Sequence, residues 1–275
     1  MSLRIGTVPY YVGRPLDLGL DGEPGIELVR DTPAELISGL RTERLDVALV
    51  STIEMFRQPG YAYLKGVGVC GRGAVSSVQV FSANPISEAR TVALDPASRT
   101  AATLVQILMG QESDGGPKYI EVPAKVDPRQ AGADAWLRIG DQALVELQDK
   151  DLHAFDPCKE WTKRTGMPFV FAAWVVRAGA NITEYLPAFV RARKRGAAAI
   201  PALARRAAAD LGLPPAFCLK YLSQEITYSV GDQMAPALER FASAARSIGL
   251  ASGYAVPAAI HVPGLATISA NTKSN

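Results

Sequence analysis

The sequence predicts a two-lobed α/β fold with a hinged cleft between the lobes, and three observations carry that expectation. The first half of the 275-residue chain alternates short apolar strands with helices, the pattern of parallel α/β layers. From Arg90 to about Arg177 the same alternation repeats on a smaller scale. The apolar run Phe169–Val176 is long enough to cross back between lobes, and beyond Asn181 the chain turns to Ala- and Arg-rich helical segments. Residues 1–83 and 178–275 are expected to form the larger lobe with its C-terminal helices, and residues 84–177 a smaller inserted lobe. A cleft between two such lobes is the default ligand site.

Arg4–Val8 reads as the first strand, Pro15 opens a helical turn, Ile26–Arg30 is a second strand and Thr32–Leu40 an amphipathic helix. Leu45–Val50 is the next strand. It stops at Ser51, where Ser51-Thr52-Ile53-Glu54 has the S-x-x-E spacing of a capping box and begins a helix. In open α/β sheets ligands sit at this carboxyl edge. Val75–Ser82 alternates as a strand, and Asn84-Pro85 punctuates it. Val92–Leu94 is a short strand that runs through the turn Asp95-Pro96-Ala97 into a helix from Thr100 to Met109. Ser98 and Thr100 frame the first free N–H groups of that helix, a socket suited to a carboxylate or phosphate and equally to an ordinary N-cap.

After the loop 111–116 come an extended piece around Tyr119–Val122, a strand Ala133–Ile139 ending in Gly140-Asp141, and a helix beyond Gln142. Four helices are expected in the last third: Thr183–Ile200, Pro201–Asp210, Pro214–Ile226 and Met234–Ile248. The arginines between Arg191 and Arg206 read as a solvated helix face.

A hydrophobic fraction of 48% provides for a proper core, and a net charge of +2 without aromatic-interleaved basic runs argues against nucleic acid as a partner. Cys70, Cys158 and Cys218 are widely separated and form no ligand spacing, which fits a reduced compartment and predicts no metal. The start of the chain carries no leader pattern and no apolar stretch approaches membrane-spanning length, so the expected location is the cytoplasm. No nucleotide-type Gly-rich loop is present, and no cofactor is expected.

Several segments, taken in order, resemble the chorismate dehydratases of the futalosine route to menaquinone, the MqnA family, within the type II periplasmic-binding-protein fold. They are Asp46–Glu54, Ala74–Val78, Ala93–Thr100, Ile139–Leu144, Trp161 with Thr165–Ala172, and Tyr221–Ser223 with Tyr228. One position departs from the pattern. In the segment Tyr10-Tyr11-Val12-Gly13-Arg14-Pro15-Leu16, Val12 stands where the family has an Asn implicated in catalysis, and a valine offers no side-chain hydrogen bond. Either Tyr11 or Arg14 substitutes for it, or the chain is a divergent relative with altered or lost activity.

The resemblance implies a cofactor-independent loss of water from chorismate, a small dicarboxylate, to give 3-[(1-carboxyvinyl)oxy]benzoate. The ring proton next to the ether leaves, the neighbouring hydroxyl departs and the ring becomes aromatic. Such a reaction needs donors that hold a dianion in the eliminating geometry more than it needs a strong base. His153 and His261 lie in no junction motif, and the substrate's own enolpyruvyl carboxylate is the expected proton acceptor. The resemblance implies catalytic positions at Ser77, at Val12 and, by facing the anion, at Arg14, which is otherwise solvated.

Substrate-binding positions are expected at Tyr10, Gly13, Ser51, Thr52, Ser76, Ser98, Arg99, Thr100, Asp141 and Phe171. Of these, Arg99 points either to the anion or outward. Asp141 either meets a ligand hydroxyl or fixes the hinge. Phe171, with Trp174, either walls the cleft or fills the core.

Overall fold

The computed structural model describes residues 2–123 and 126–265; the last ten residues, which close the expected larger lobe, lie outside the described residues. Along the first third run β1 (Leu3–Thr7), α1 (Arg14–Asp17), β2 (Ile26–Arg30), α2 (Pro33–Arg41), β3 (Val47–Ser51) and β4 (Ala62–Gly71). The middle third holds β5 (Val78–Ser82), β6 (Thr91–Leu94), α3 (Arg99–Met109), β7 (Lys118–Glu121), β8 (Ala135–Ile139), α4 (Gly140–Glu146), β9 (His153–Phe155), α5 (Pro157–Thr165) and β10 (Phe169–Val176). Then follow α6 (Leu186–Leu211), α7 (Pro215–Lys220), β11 (Ile226–Ser229), α8 (Met234–Ser247) and β12 (Ala258–Ile260).

Two sheets define two lobes. The larger has the order β11-β4-β10-β3-β1-β2, with β12 also on β4; the smaller has β7-β6-β8-β5-β9. β1 is parallel to β2 and β3, whereas β10 runs antiparallel to both β3 and β4. In the smaller sheet β6 is parallel to β7 and β8, and β5 antiparallel to β8 and β9. The two-lobed α/β class is as the sequence predicts.

Sheet membership moves the crossings from the expected boundaries at 83 and 177. β5 belongs to the smaller sheet and β10 to the larger one. The chain therefore crosses at residues 72–77, and returns through α5 ahead of β10. Nothing within an apolar strand says which sheet it will join.

Other elements differ from expectation as well. β4 carries Gly66, Gly68 and Gly71, which weaken its strand signal. Yet a Cβ at Gly68 would stand 2.4 Å from the Ala172 carbonyl, so glycine is what lets β4 and β10 approach. The expected break at Pro201 is absent: α6 continues because Ala192, Gly196, Ile200 and Ala204 keep one buried stripe across it. At Gly196 any Cβ would meet Pro15 O at 2.2 Å, so α6 and α1 touch backbone to backbone. The helix expected from Pro214 to Ile226 is α-helical only to Lys220 and continues as a π turn, Tyr221–Glu225, before Ile226 pairs with β4 as the start of β11.

A charge cluster closes the end of the larger sheet opposite the cleft. Asp46 accepts the Arg4 N–H at 3.0 Å, Arg4 Nη2 at 2.9 Å and Arg177 Nη2 at 2.8 Å. Burial pushes the Asp46 carboxyl up, and these bonds outweigh it, leaving the group at about 2. Among the described residues no helix is long and apolar enough to cross a membrane.

Candidate active site

The carboxyl ends of β1, β3, β6 and β8 open onto one cleft between the lobes, as the edge rule for α/β sheets requires. Its polar lining is Ser51, Ser77, Ser98 and Tyr10; its walls include Val12, Leu49, Val69 and Phe171. Apolar walls lower the local dielectric, so each hydroxyl donor acts more strongly on an anion than it would in water.

Each serine is placed by backbone. β3 ends at Ser51, 8% exposed. Ser77 closes the first crossing, and its carbonyl accepts the Gly140 N–H at 2.8 Å. Ser98 is the N-cap of α3: its Oγ accepts the Ala101 N–H at 3.2 Å, which leaves its own O–H to donate into the cleft. The turn before it is held by Asp95, whose carboxylate accepts the N–H groups of Ala97 (2.8 Å) and Ile139 (3.1 Å). One glycine is required here. Gly140 has φ +67°, and a Cβ would stand 3.1 Å from the Tyr10 ring, which packs across the lobes onto it. Burial, with Asp95 and Asp141 near, raises the Tyr10 phenol to about 12.

Other expected site residues are placed around this cleft, not on its lining. Thr52 Oγ1 donates to Val170 O at 2.7 Å, and Thr100 Oγ1 accepts the Ile53 N–H at 3.1 Å, both fully buried ties. Arg99 is half-exposed and reaches Glu54 at 3.3 Å. The expected capping box is not formed: Ser51 makes no cap, the following turn is a short 3-10 turn, and Glu54 instead meets Arg41 at 2.6 Å and Arg57 at 3.6 Å. Gly13 is buried behind Val8. Ser76 gives its N–H to Glu225 at 2.9 Å.

Arg14 donates to Pro9 O at 3.3 Å and faces Asp17 at 3.6 Å, in a surface groove with Tyr11 and Arg206. The Tyr11 hydroxyl bonds Asp210. Neither side chain substitutes for an amide at Val12, which is 8% exposed in the cleft lining. Asp141, on the smaller lobe, accepts the Tyr11 N–H at 3.3 Å from the larger one. Its burial raises the carboxyl to about 6 against the pull of that bond and of Arg14. Phe171 does both things expected of it, walling the cleft and packing on Phe169 at 4.7 Å between ring centroids. Trp174 is core, against Phe189.

A family model described as menaquinone biosynthesis matches residues 3–247. The chain belongs to that family. The chorismate dehydratase of Campylobacter jejuni is 28% identical over 256 residues, covering 90% of this chain and 99% of that protein. The chorismate dehydratase of Thermus thermophilus is 28% identical over 216 residues, 72% and 79% of the two chains. The fold is periplasmic-binding-protein-like: the aliphatic sulphonate binding protein of Escherichia coli superposes with a TM-score of 0.61 at 18% identity, covering 93% of this chain and 94% of that one.

For this member of the menaquinone biosynthesis family, sequence reasoning missed most of the apolar lining. Val69 was hidden because β4 itself was, and Ile139 and Leu49 read only as strand residues. Asp95, which shapes the Ser98 turn, left one usable signal: an Asp two residues before Ala97 in a turn accepts that N–H. His153 and His261 are both exposed and away from the cleft lining.

Proposed function

We propose that the chain is a chorismate dehydratase, a hydro-lyase of the futalosine route to menaquinone. The observation that carries this reading is the meeting of Ser51, Ser77 and Ser98 in one apolar-walled cleft beside the start of α3. Membership in the menaquinone biosynthesis family and the likeness to two chorismate dehydratases support it.

Chorismate carries two carboxylates. A helix start and hydroxyl donors suit a carboxylate without a cationic partner, and the N–H groups of Arg99 and Thr100 serve there through their backbone. The ring C–H bond next to the ether breaks, its proton passing to the enolpyruvyl carboxylate. The electron pair forms the aromatic ring as the neighbouring C–O bond breaks, and the departing hydroxide takes up the proton that the carboxyl gives back, so that water leaves and the carboxylate is restored. Ser77 donates to the departing oxygen or to a carboxylate, in surroundings where such a bond tightens as charge develops.

Purified protein incubated with chorismate should lose the diene absorbance and yield an aromatic product. Ser77→Ala should cost about 1–3 kcal/mol in transition-state binding, roughly a 5- to 150-fold drop in kcat/KM. An unchanged value removes Ser77 from the chemistry.

A second reading, a binder of small carboxylates without dehydratase activity, is favoured by one observation: Val12 puts a methyl-lined surface where the family has an amide. Thermal stabilisation by chorismate without turnover would establish it.

A further inference from the structure

Behind the cleft the chain makes one irregular turn, and that turn grips the crossing that carries Ser77. α7 runs into a single π turn, Tyr221–Glu225. The wider turn re-aims its side chains, and such turns recur at functional sites. Two of its residues reach residues 76 and 77. Glu225 Oε2 accepts the Ser76 N–H at 2.9 Å while Lys220 pairs with Glu225 at 3.4 Å. Tyr221 is buried with its hydroxyl in reach of the Ser77 side chain, although no hydrogen bond of ordinary length closes there.

A buried phenol hydroxyl with no closed bond is costly and calls for a reason. Its surroundings hold it protonated: burial first, then Tyr228 and the carboxylates Asp141 and Glu225, raise it and outweigh the lowering effect of the Ser77 side chain. It is therefore a donor. Tyr228 also stands near it, with the Arg193 guanidinium 5.1 Å from the Tyr228 ring centroid. Toward the cleft stands Ser77, whose hydroxyl has two lone pairs and one proton to place.

We propose that the π turn is the positioning device of Ser77: Tyr221 donates to Ser77 Oγ when substrate closes the cleft, and Glu225 fixes the backbone beneath it. With its lone pair occupied, Ser77 has its proton directed into the cleft, at the departing oxygen. This deepens the dehydratase reading and rests on it. Tyr221 touches no substrate and acts only through Ser77.

The test is a double-mutant cycle on chorismate turnover with wild type, Ser77→Ala, Tyr221→Phe and the double variant. Tyr221→Phe should lower kcat about 5- to 30-fold with KM within about twofold, and should add less than about twofold to Ser77→Ala. Equal loss in both backgrounds, or an unchanged kcat, overturns the proposal. Glu225→Ala gives a second route that does not depend on Tyr221→Phe folding: kcat should fall and Glu225→Gln, which still accepts the Ser76 N–H, should restore it. Failure of either effect overturns the backbone half of the device.

Wild-type protein without turnover overturns the dehydratase reading and leaves this one to crystals grown with and without chorismate. A separation of Tyr221 Oη from Ser77 Oγ above about 3.5 Å in both overturns it whatever the turnover; a closed bond with chorismate present supports it.

Discussion

Asp141→Asn should make the protein more stable at neutral pH, and the size of the gain follows from the position of the carboxylate. Asp141 lies at the start of α4, on the face where the smaller lobe meets the larger, and accepts the Tyr11 N–H across the junction. Burial raises its carboxyl from 3.8 to about 6. A folded-state value above the unfolded one means that the native protein holds the proton more tightly. The stabilisation is complete below about pH 3.8 and is lost as pH rises through about 6. The displacement of about two units corresponds to at most about 3 kcal/mol. An amide keeps the oxygen that accepts from Tyr11 and never ionises. Urea unfolding of wild type and variant across pH 4–8 measures this directly: wild type should lose stability relative to Asp141→Asn as pH rises toward neutral, while the other buried carboxyls Asp17, Asp95 and Asp156 act equally in both. Parallel curves would refute the reasoning, since the carboxylate would then be solvated in the folded state.

Two further outcomes are expected. Asp46→Asn should destabilise the protein by about 2 kcal/mol at neutral pH, because the depressed carboxyl contributes above about pH 3.8 and loses its effect as pH falls through about 2; the gap between the unfolding curves of variant and wild type should narrow on acidification. Arg99→Ala should leave kcat/KM for chorismate within about threefold of wild type, because the guanidinium stands beside Glu54 outside the cleft lining; a hundredfold loss would return it to the binding site.

Features that depend on neighbours within a few residues were legible in the chain. Ile26–Arg30 and Phe169–Val176 are strands with the bounds their composition indicates, and Ser98 caps α3 because a serine ahead of a helix start bonds the third N–H onward. The sequence also located the strand-to-helix junctions at Ser51 and Ser98, since strand ends carry their own punctuation, whereas Ser77 falls inside the strand expected from Val75 and is singled out only by the family resemblance. Only the tertiary structure decided which sheet β5 and β10 join, that β4 is a strand in spite of three glycines, and that α6 runs through Pro201. The same holds for side-chain direction. Thr52, Thr100 and Arg99 are next to cleft residues in the chain, yet they turn to Val170, Ile53 and Glu54. The physical reason is common to all of these: pairing and packing partners lie far away in sequence, and their burial outweighs the local preferences that a linear reading measures.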